Sequence, residues 1–311
     1  MKFLFLMDPL ETITMEKDTT FIFMLESHKR GHDVYFLPED GISFVEGKLY
    51  FHVTKVKPQA IAHEPFIMLD AAHLSSDDIH AVFIRPDPPF DEQYLMNTWL
   101  LDQLPTKVAV INRPSGIRTV NEKIWSAQFK NITPDTIISA NKHDLLAFAV
   151  KHTNVIAKPT NAFGGQSVFH IEAGHTNTKV ILETISKGYN EAIILQRYIP
   201  EAKHGDKRIL LLNGEILGAV LRVHAEGEHR NNFYAGGSAV ATVINKRDEE
   251  IVNILKPHLQ ELGLYFVGID ILGDYLIEVN VTSPTCLQEM NRLYNQALEE
   301  KVIDFVEKLV K

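Results

Sequence analysis

The chain has 311 residues, 45% of them hydrophobic, with a formal net charge of −9 and a single cysteine. That is apolar material for two or three domains and excludes a globally disordered chain. The charge argues against general nucleic-acid binding, one cysteine leaves no disulfide framework, and no apolar run reaches the roughly 20 residues of a membrane helix.

KFLFLM (Lys2 to Met7) reads as a first buried strand stopped by Asp8 and Pro9. It is too short for a signal-peptide core, so a cytoplasmic location is expected. Asp18 is placed to cap a helix running to about Arg30, with Gly31 just past its end. DVYFLP is a second strand, and ISFV and KLYF alternate around Glu46-Gly47 as a hairpin. AVFIR and KVAVIN are further buried strands, with a helix from about Asp91 to Leu101 between them. Strands alternating with helices predict a mostly parallel sheet.

After Asn112-Arg113-Pro114 the texture changes. A helix is expected near Asn121, then HDLLAFAVKH (helix), NVIAKP (strand), a glycine turn, SVFHI (strand), TKVILETISK (helix) and AIILQRYI (strand). This is a compact α+β unit. KRILLL and EILGAVLRV form a hairpin around Asn213-Gly214. A polar, glycine-rich loop follows from about His224 to Ser238. A helix from about Arg247 to Leu262 leads into VGIDILGDYLIEVNVTSPT, and one last helix closes the chain.

That stretch, Val267 to Thr285, reads as two strands joined at Gly273-Asp274, yet it holds Asp270, Glu278 and Asn280. Carboxylates in an apolar strand pair are costly unless compensated. Glu278 and Asn280 share a strand face. A two-residue loop at Gly273-Asp274 puts Asp270 on the opposite face, whereas an odd loop centred on Asp274 puts it across from Glu278. In the second case three oxygen-bearing side chains suit Mg²⁺, which takes one or two carboxylates plus phosphate oxygens. A polar, solvated sheet face fits the composition as well.

KPTNAFGGQSVF (Lys158 to Phe169) ends a strand in lysine before a Gly-Gly turn. Backbone N–H groups there can cradle phosphate. The segment is neither a Walker loop nor a dinucleotide fingerprint, and an ordinary hairpin turn also accounts for it. QRYIPEAKHGDKRILLL leads from a strand end to Asp206-Lys207-Arg208. Arg85, Arg222 and Arg230 recur at strand ends and in loops, where arginine suits bidentate carboxylate recognition, although each alone also reads as surface charge. Of the 14 histidines, His224 and His229 fall in the polar loop without metal-ligand spacing, and Cys286 is expected to be a packed thiol.

In order, Lys123, Lys158, Gly164-Gly165, Gln196, Asp206-Lys207-Arg208, a glycine loop and Asp270…Glu278-x-Asn280 make the layout of an ATP-grasp ligase. More closely, the chain resembles the prokaryotic glutathione synthetase family. The resemblance runs through MDPLETITMEKDTTF, FIRPDPPFD, NRPSGIRTVNEK, TPDTIIS, AKPTNAFGGQSVF, LQRYIPEAKHGDKRIL, HRNNFYAGG and FVGIDILGDYLIEVNVTSPT, essentially the whole chain. It implies a mixed α/β and α+β protein of ATP-grasp fold. An N-terminal α/β domain is expected over residues 1–120, a small lid domain over 121–200 and a C-terminal catalytic domain over 201–311.

The reaction the resemblance implies joins γ-glutamylcysteine to glycine with ATP, through an acyl phosphate. It assigns ATP to Lys123, Lys158, Phe163, Gly164, Gly165, Gln166, Ser167, Gln196, Tyr198, Ile199, Asp206 and Arg208. Asp270, Glu278 and Asn280 would hold Mg²⁺, or Mn²⁺ in its place. Arg85, Arg222 and Arg230 would be catalytic and, with Asn232, Ser283 and Thr285, would bind the dipeptide. The 224–238 loop would close over the site, since an acyl phosphate must be shielded from water. A homo-oligomer, dimer or tetramer, is implied, with neither nucleic acid nor membrane as partner. Another ATP-grasp carboxylate–amine ligase, or a non-catalytic ATP-binding relative, is the alternative. The chain departs from the family pattern at Pro86, Ala162 and Ser238.

Overall fold

The structure is a computed structural model that describes residues 1–161, 166–172, 174–224 and 237–310. Its first unit runs β1 (Lys2–Leu6), α1 (Thr19–Lys29), β2 (Asp33–Leu37), β3 (Ile42–Val45), β4 (Lys48–Pro58), β5 (Phe66–Ser75), β6 (Ala81–Ile84), α2 (Glu92–Leu101), β7 (Ala109–Ile111) and α3 (Pro114–Thr119). β1 is apolar along its length because it lies between two parallel partners, β2 and β6, and is buried on both faces. The parallel expectation holds only for β2-β1-β6-β7. β3, β4 and β5 add on antiparallel, so the sheet is mixed. The 11-residue β4 is long enough to pair with β2, β3 and β5 in turn. Its hairpin with β3 turns through Glu46 (φ 49) and Gly47 (φ 82). At the start of α1, the Asp18 carboxylate accepts the Phe21 N–H at 2.6 Å.

The helix expected near Asn121 is absent. The Asn121 Oδ1 accepts N–H bonds from Lys123 (3.1 Å) and Ile124 (3.0 Å), as a helix cap would, but only a short 3₁₀ turn at Trp125–Gln128 follows. The middle unit is β8 (Thr136–Ser139), α4 (Lys142–His152), β9 (Asn154–Pro159), β10 (Phe169–Glu172), α5 (Thr178–Ile185) and β11 (Ile193–Arg197). Its antiparallel sheet has the order β10-β9-β11-β8. Leu145, Val155, Leu182 and Leu195 belong to a buried cluster confined to this unit. Truncating Leu145 to alanine there would cost about 2–5 kcal/mol.

The last unit is β12 (Asp206–Leu212), β13 (Glu215–Val223), β14 (Ser238–Val240), α6 (Lys246–Glu261), β15 (Phe266–Leu272), β16 (Tyr275–Asn280), α7 (Leu287–Tyr294) and α8 (Leu298–Val310). The sheet order is β14-β13-β12-β15-β16, antiparallel throughout. Two helices stand where one was expected, because Asn295 takes a left-handed conformation (φ 50) between them. The first and last units share one core, in which Leu4 and Ile84 cluster with Ile209 and Val267. Asn112 fastens them. Its side chain donates to the carbonyls of Phe266 (2.8 Å) and Val281 (2.9 Å) and accepts the Phe266 N–H at 2.7 Å. The strand that bears Asp270, β15, is thereby tied at its start to the first unit. No helix among the described residues is long and apolar enough to cross a membrane.

Candidate active site

The three units enclose a cavity of about 810 Å³. Its floor is the sheet face that carries Asp270 and Glu278. β15 and β16 are joined by a two-residue turn at Gly273-Asp274, as the pairing of Leu272 with Tyr275 shows. Such a turn alone would leave the two carboxylates on opposite faces. Instead the register slips: Ile271 pairs with Leu276 but Asp270 pairs with Glu278, so Ile277 is the extra residue of a β-bulge. The sequence expectation for this turn is corrected accordingly. Asn280 follows on the same face, opposite Gly268.

Asp270 is compensated by arginine. Arg208, its direct cross-strand neighbour, donates Nε to Oδ1 and Nη2 to Oδ2 (3.0 Å). Arg222 Nη2 lies 2.9 Å from Asp270 Oδ2 and also binds Asp206, whose Oδ1 accepts its Nε at 3.2 Å. All four side chains are buried. Burial favours the neutral carboxyl of Asp270, but the Arg208 and Arg222 guanidiniums outweigh it and hold the group well below the usual carboxylate range. Both arginines stay firmly cationic, since the carboxylates beside them offset the cost of burial.

Two lysines face this network. Lys123 Nζ lies 3.0 Å from Glu278 Oε1; burial would lower its pKa, and Glu278 more than reverses that. Lys158, at the end of β9, is only 6% exposed, and its Nζ has Gln196 Oε1 at 3.5 Å as a long, weak partner. Burial pushes its pKa down to about 8, with Glu278 opposing in part. Gln196 is itself held by its Nε2 donating to Thr136 Oγ1 at 3.0 Å. A buried ammonium so poorly partnered favours an incoming anion.

Of the residues singled out from sequence, Lys123, Lys158, Gln166, Gln196, Tyr198, Ile199, Asp206, Arg208, Arg222, Asp270, Glu278, Asn280, Ser283 and Thr285 all line the cavity. Ser167 does not line it and takes a left-handed backbone (φ 56). Arg85 does not line it either. Its guanidinium is buried beneath the 283–285 loop, donating to Thr20 Oγ1 (3.0 Å) and the Pro284 carbonyl (3.0 Å) and lying over the Phe266 ring. Phe163, Gly164, Gly165, Arg230 and Asn232 lie outside the described residues.

Other lining residues, not singled out as site residues, include Glu122, His170 and Glu289. Glu122 precedes Lys123, and its Oε1 accepts from Val281 N (2.8 Å), Thr282 N (3.1 Å) and Thr282 Oγ1 (2.9 Å). Burial, and then Glu278, raise its pKa. His170 stacks on Tyr198 with ring centroids 4.3 Å apart. Glu289 stands on the first turn of α7. Of these three, Glu122 sits inside a quoted motif.

Among the described residues no three His, Cys, Asp or Glu side chains gather as a dedicated metal cage. The donor set still suits a hard cation that shares phosphate oxygens. Asn280 Nδ2 donates to the Gly268 carbonyl at 3.3 Å, which leaves its Oδ1 as the acceptor. Glu278 presents its second oxygen. Asp270 has three of its roughly four acceptor positions taken by arginine. Chemically, the floor can hold polyphosphate beside a carboxylate: fixed cations, a cation-binding acid–amide pair, and walls that limit water.

Family models agree along the chain. Residues 1–118 match the prokaryotic glutathione synthetase N-terminal domain, and 122–295 match the prokaryotic glutathione synthetase ATP-grasp domain. Curated relatives named glutathione synthetase include proteins of Synechocystis sp. (38% identical, 99% of each chain), Pseudomonas aeruginosa (37%, 96% of this chain and 95% of the relative) and Escherichia coli (34%, 97% and 96%). Among solved structures, the D-cycloserine synthetase DcsG is 14% identical with a TM-score of 0.65 over 99% of each chain. The ATP-grasp ligase PsnB, in a complex with a minimal precursor, Mg and ADP, is 14% identical with a TM-score of 0.64 over 99% of this chain and 97% of its own. At that identity these two structures speak to the fold.

Proposed function

The chain belongs to the prokaryotic glutathione synthetase family, and from that membership we propose how its cavity carries out the ligation. The protein is an ATP-dependent ligase that joins γ-glutamylcysteine to glycine, giving glutathione, ADP and phosphate. A carboxylate is a poor acyl donor, so the cysteinyl carboxylate is first phosphorylated and the glycine amine then displaces phosphate. The polyanions that must meet here repel one another, so catalysis is mainly positioning and charge neutralisation.

The buried Arg208–Asp270–Arg222–Asp206 network is the observation that carries this reading. It fixes two guanidiniums on the floor before any ligand arrives, with no reorganisation left for the reaction step. Lys123 and Lys158 reach the ATP phosphates, and Gln196, Tyr198 and Ile199 border the base. Ser283 and Thr285 orient the dipeptide, and Arg222 neutralises its reacting carboxylate. Glu278 and Asn280, with the remaining acceptor position of Asp270, would hold Mg²⁺. Bound there, it would neutralise phosphate charge, and Mn²⁺ is expected to substitute. Arg85 acts from below, by fixing the Pro284 carbonyl. Arg230 and Asn232 are assigned to the dipeptide by family resemblance. The proposed assembly is a homo-oligomer, dimer or tetramer, and the proposed location is the cytoplasm.

Incubating the protein with ATP, Mg²⁺ and a panel of acids and amines tests the reading. Product mass should show glutathione from γ-glutamylcysteine and glycine, with one phosphate released per peptide. A different preferred acid or amine would place the protein among other ATP-grasp ligases.

A further inference from the structure

The first sheet carries a second group of ion-binding side chains, none of which lines the cavity. β4 and β5 pair antiparallel, with Tyr50 opposite Ser75, His52 opposite His73 and Thr54 opposite Ala71. The alternate residues Leu49, Phe51 and Val53 are buried, so Tyr50, His52 and Thr54 occupy the face turned away from the core. His52 and His73 are both exposed there.

Residues directly opposite in such a pair have Cβ atoms about 4.5–5.5 Å apart, so their side chains stand together. The two imidazole rings are 4.5 Å apart between centroids and tilted by 32°. Tyr50 stacks on His73 at 5.2 Å and 11°, which limits rotation of that ring. Among the described residues no hydrogen bond or ion pair engages either imidazole, so their nitrogen lone pairs are open to a ligand. The flanking Thr54, Ala71 and Ser75 are small and leave the pair accessible, and Pro38 completes a surface groove of about 440 Å³ around it.

Two imidazoles that bind one ion at about 2.0–2.1 Å, at right angles to each other, have ring centroids about 4.5 Å apart. That is the spacing of His52 and His73. We propose that these two histidines form a bidentate site for a borderline divalent transition ion such as Ni²⁺, Cu²⁺ or Zn²⁺, with water in the remaining positions. Imidazole nitrogen suits these ions, whereas Mg²⁺ takes oxygen, so the site is chemically distinct from the acid–amide pair of the cavity. Because both ligands stand on paired strands, little freedom is lost when the second nitrogen binds, and the ion clamps β5, an edge strand, to β4.

Calorimetric titration of the nucleotide-free chain with Ni²⁺ is the test. Wild type should bind one equivalent at least roughly tenfold more tightly than His52→Ala or His73→Ala. Both side chains are exposed, so both variants should fold and keep wild-type kcat and KM in the ligation. Cu²⁺ should bind more tightly than Ni²⁺, and its electron paramagnetic resonance should show two nitrogens in wild type and one in each variant. Ni²⁺ should raise the urea midpoint of wild type and leave that of the double variant where it was. Equal Ni²⁺ affinity in wild type and both variants overturns the site, and so does a loss confined to one of the two histidines. A tight equivalent that disappears in Glu278→Gln but survives in both histidine variants lies in the cavity and overturns it as well.

Discussion

Asp270 faces Glu278 across the β15–β16 pair only because Ile277 is looped out of the register between them. A two-residue turn fixes alternation from the tip of the hairpin downward, and the bulge reverses it from the Asp270–Glu278 pair onward. The residue pair therefore depends on a local irregularity that has no side-chain signature of its own.

Glu278→Gln tests what that placement is for. The amide keeps the shape and a contact to Lys123 but loses the charge that would hold the cation. Turnover should fall on the order of 10²–10³-fold with saturating Mg²⁺, with an unchanged far-UV spectrum. Steady-state kinetics across a Mg²⁺ titration measure this, and near-normal kcat at high Mg²⁺ would remove Glu278 from the metal site.

Several features were legible because their causes are local in sequence. The Asp18 cap and the Asn213-Gly214 turn need only neighbouring residues, and both stand as read. Lys158 was legible from its position at a strand end. The bulge at Ile277 was not, since it is a property of pairing. Nor was the Arg208–Asp270 contact, formed across 62 residues of chain. The helix expected near Asn121 failed because Glu122 is drawn onto the loop after β16, an attraction invisible to propensity. Arg85 read as a ligand-binding arginine, but the surrounding Phe23, Phe266 and Pro284 enclose it as a strut.

Asp270→Asn should destabilise the protein by about 3–5 kcal/mol, because Arg208 and Arg222 lose a buried counter-charge. The folded pKa of Asp270 lies below its unfolded value. Its contribution is thus fully present above the unfolded value of about 4 and is lost as pH falls below that toward the folded value. Urea unfolding at neutral pH should show the full loss, and the gap between wild type and variant should narrow below about pH 4. A gap independent of pH would mean that packing, not charge, is what the substitution removes.

Lys158 destabilises the fold where Asp270 stabilises it, though both make stability rise with pH. Its folded pKa of about 8 lies below the unfolded value of about 10.5, so between these the unfolded chain binds the extra proton and stability rises with pH. Below about pH 8 the buried ammonium costs up to about 3 kcal/mol. Unliganded Lys158→Met should therefore be more stable than wild type at pH 7, and that advantage should shrink at pH 9 and above. The same variant should bind ATP at least roughly tenfold more weakly. Urea titrations at the two pH values and nucleotide-binding calorimetry separate these effects. A variant less stable than wild type at pH 7 would make Lys158 a structural group.

Glu122 ties the Lys123 side of the cavity to the 281–285 loop. Its backbone leads directly into Lys123, while its carboxylate holds Val281 and Thr282, two residues before the Ser283–Thr285 loop. The Glu122 carbonyl also accepts the Val279 N–H at 3.0 Å, so the segment is stitched to β16 at two levels. Glu122→Ala removes three bonds to one charged oxygen and leaves two buried N–H groups unsatisfied, a loss of about 2 kcal/mol or more in stability. The functional loss should be uneven. Lys123 remains paired with Glu278, so the KM for ATP should change little, whereas the loosened 281–285 loop should raise the KM for γ-glutamylcysteine roughly tenfold or more. Glu122→Gln keeps an acceptor oxygen in place and should recover most of the dipeptide affinity. Measuring both KM values in both variants decides the matter: parallel increases for ATP and dipeptide would mean that Glu122 supports the whole floor rather than the substrate loop.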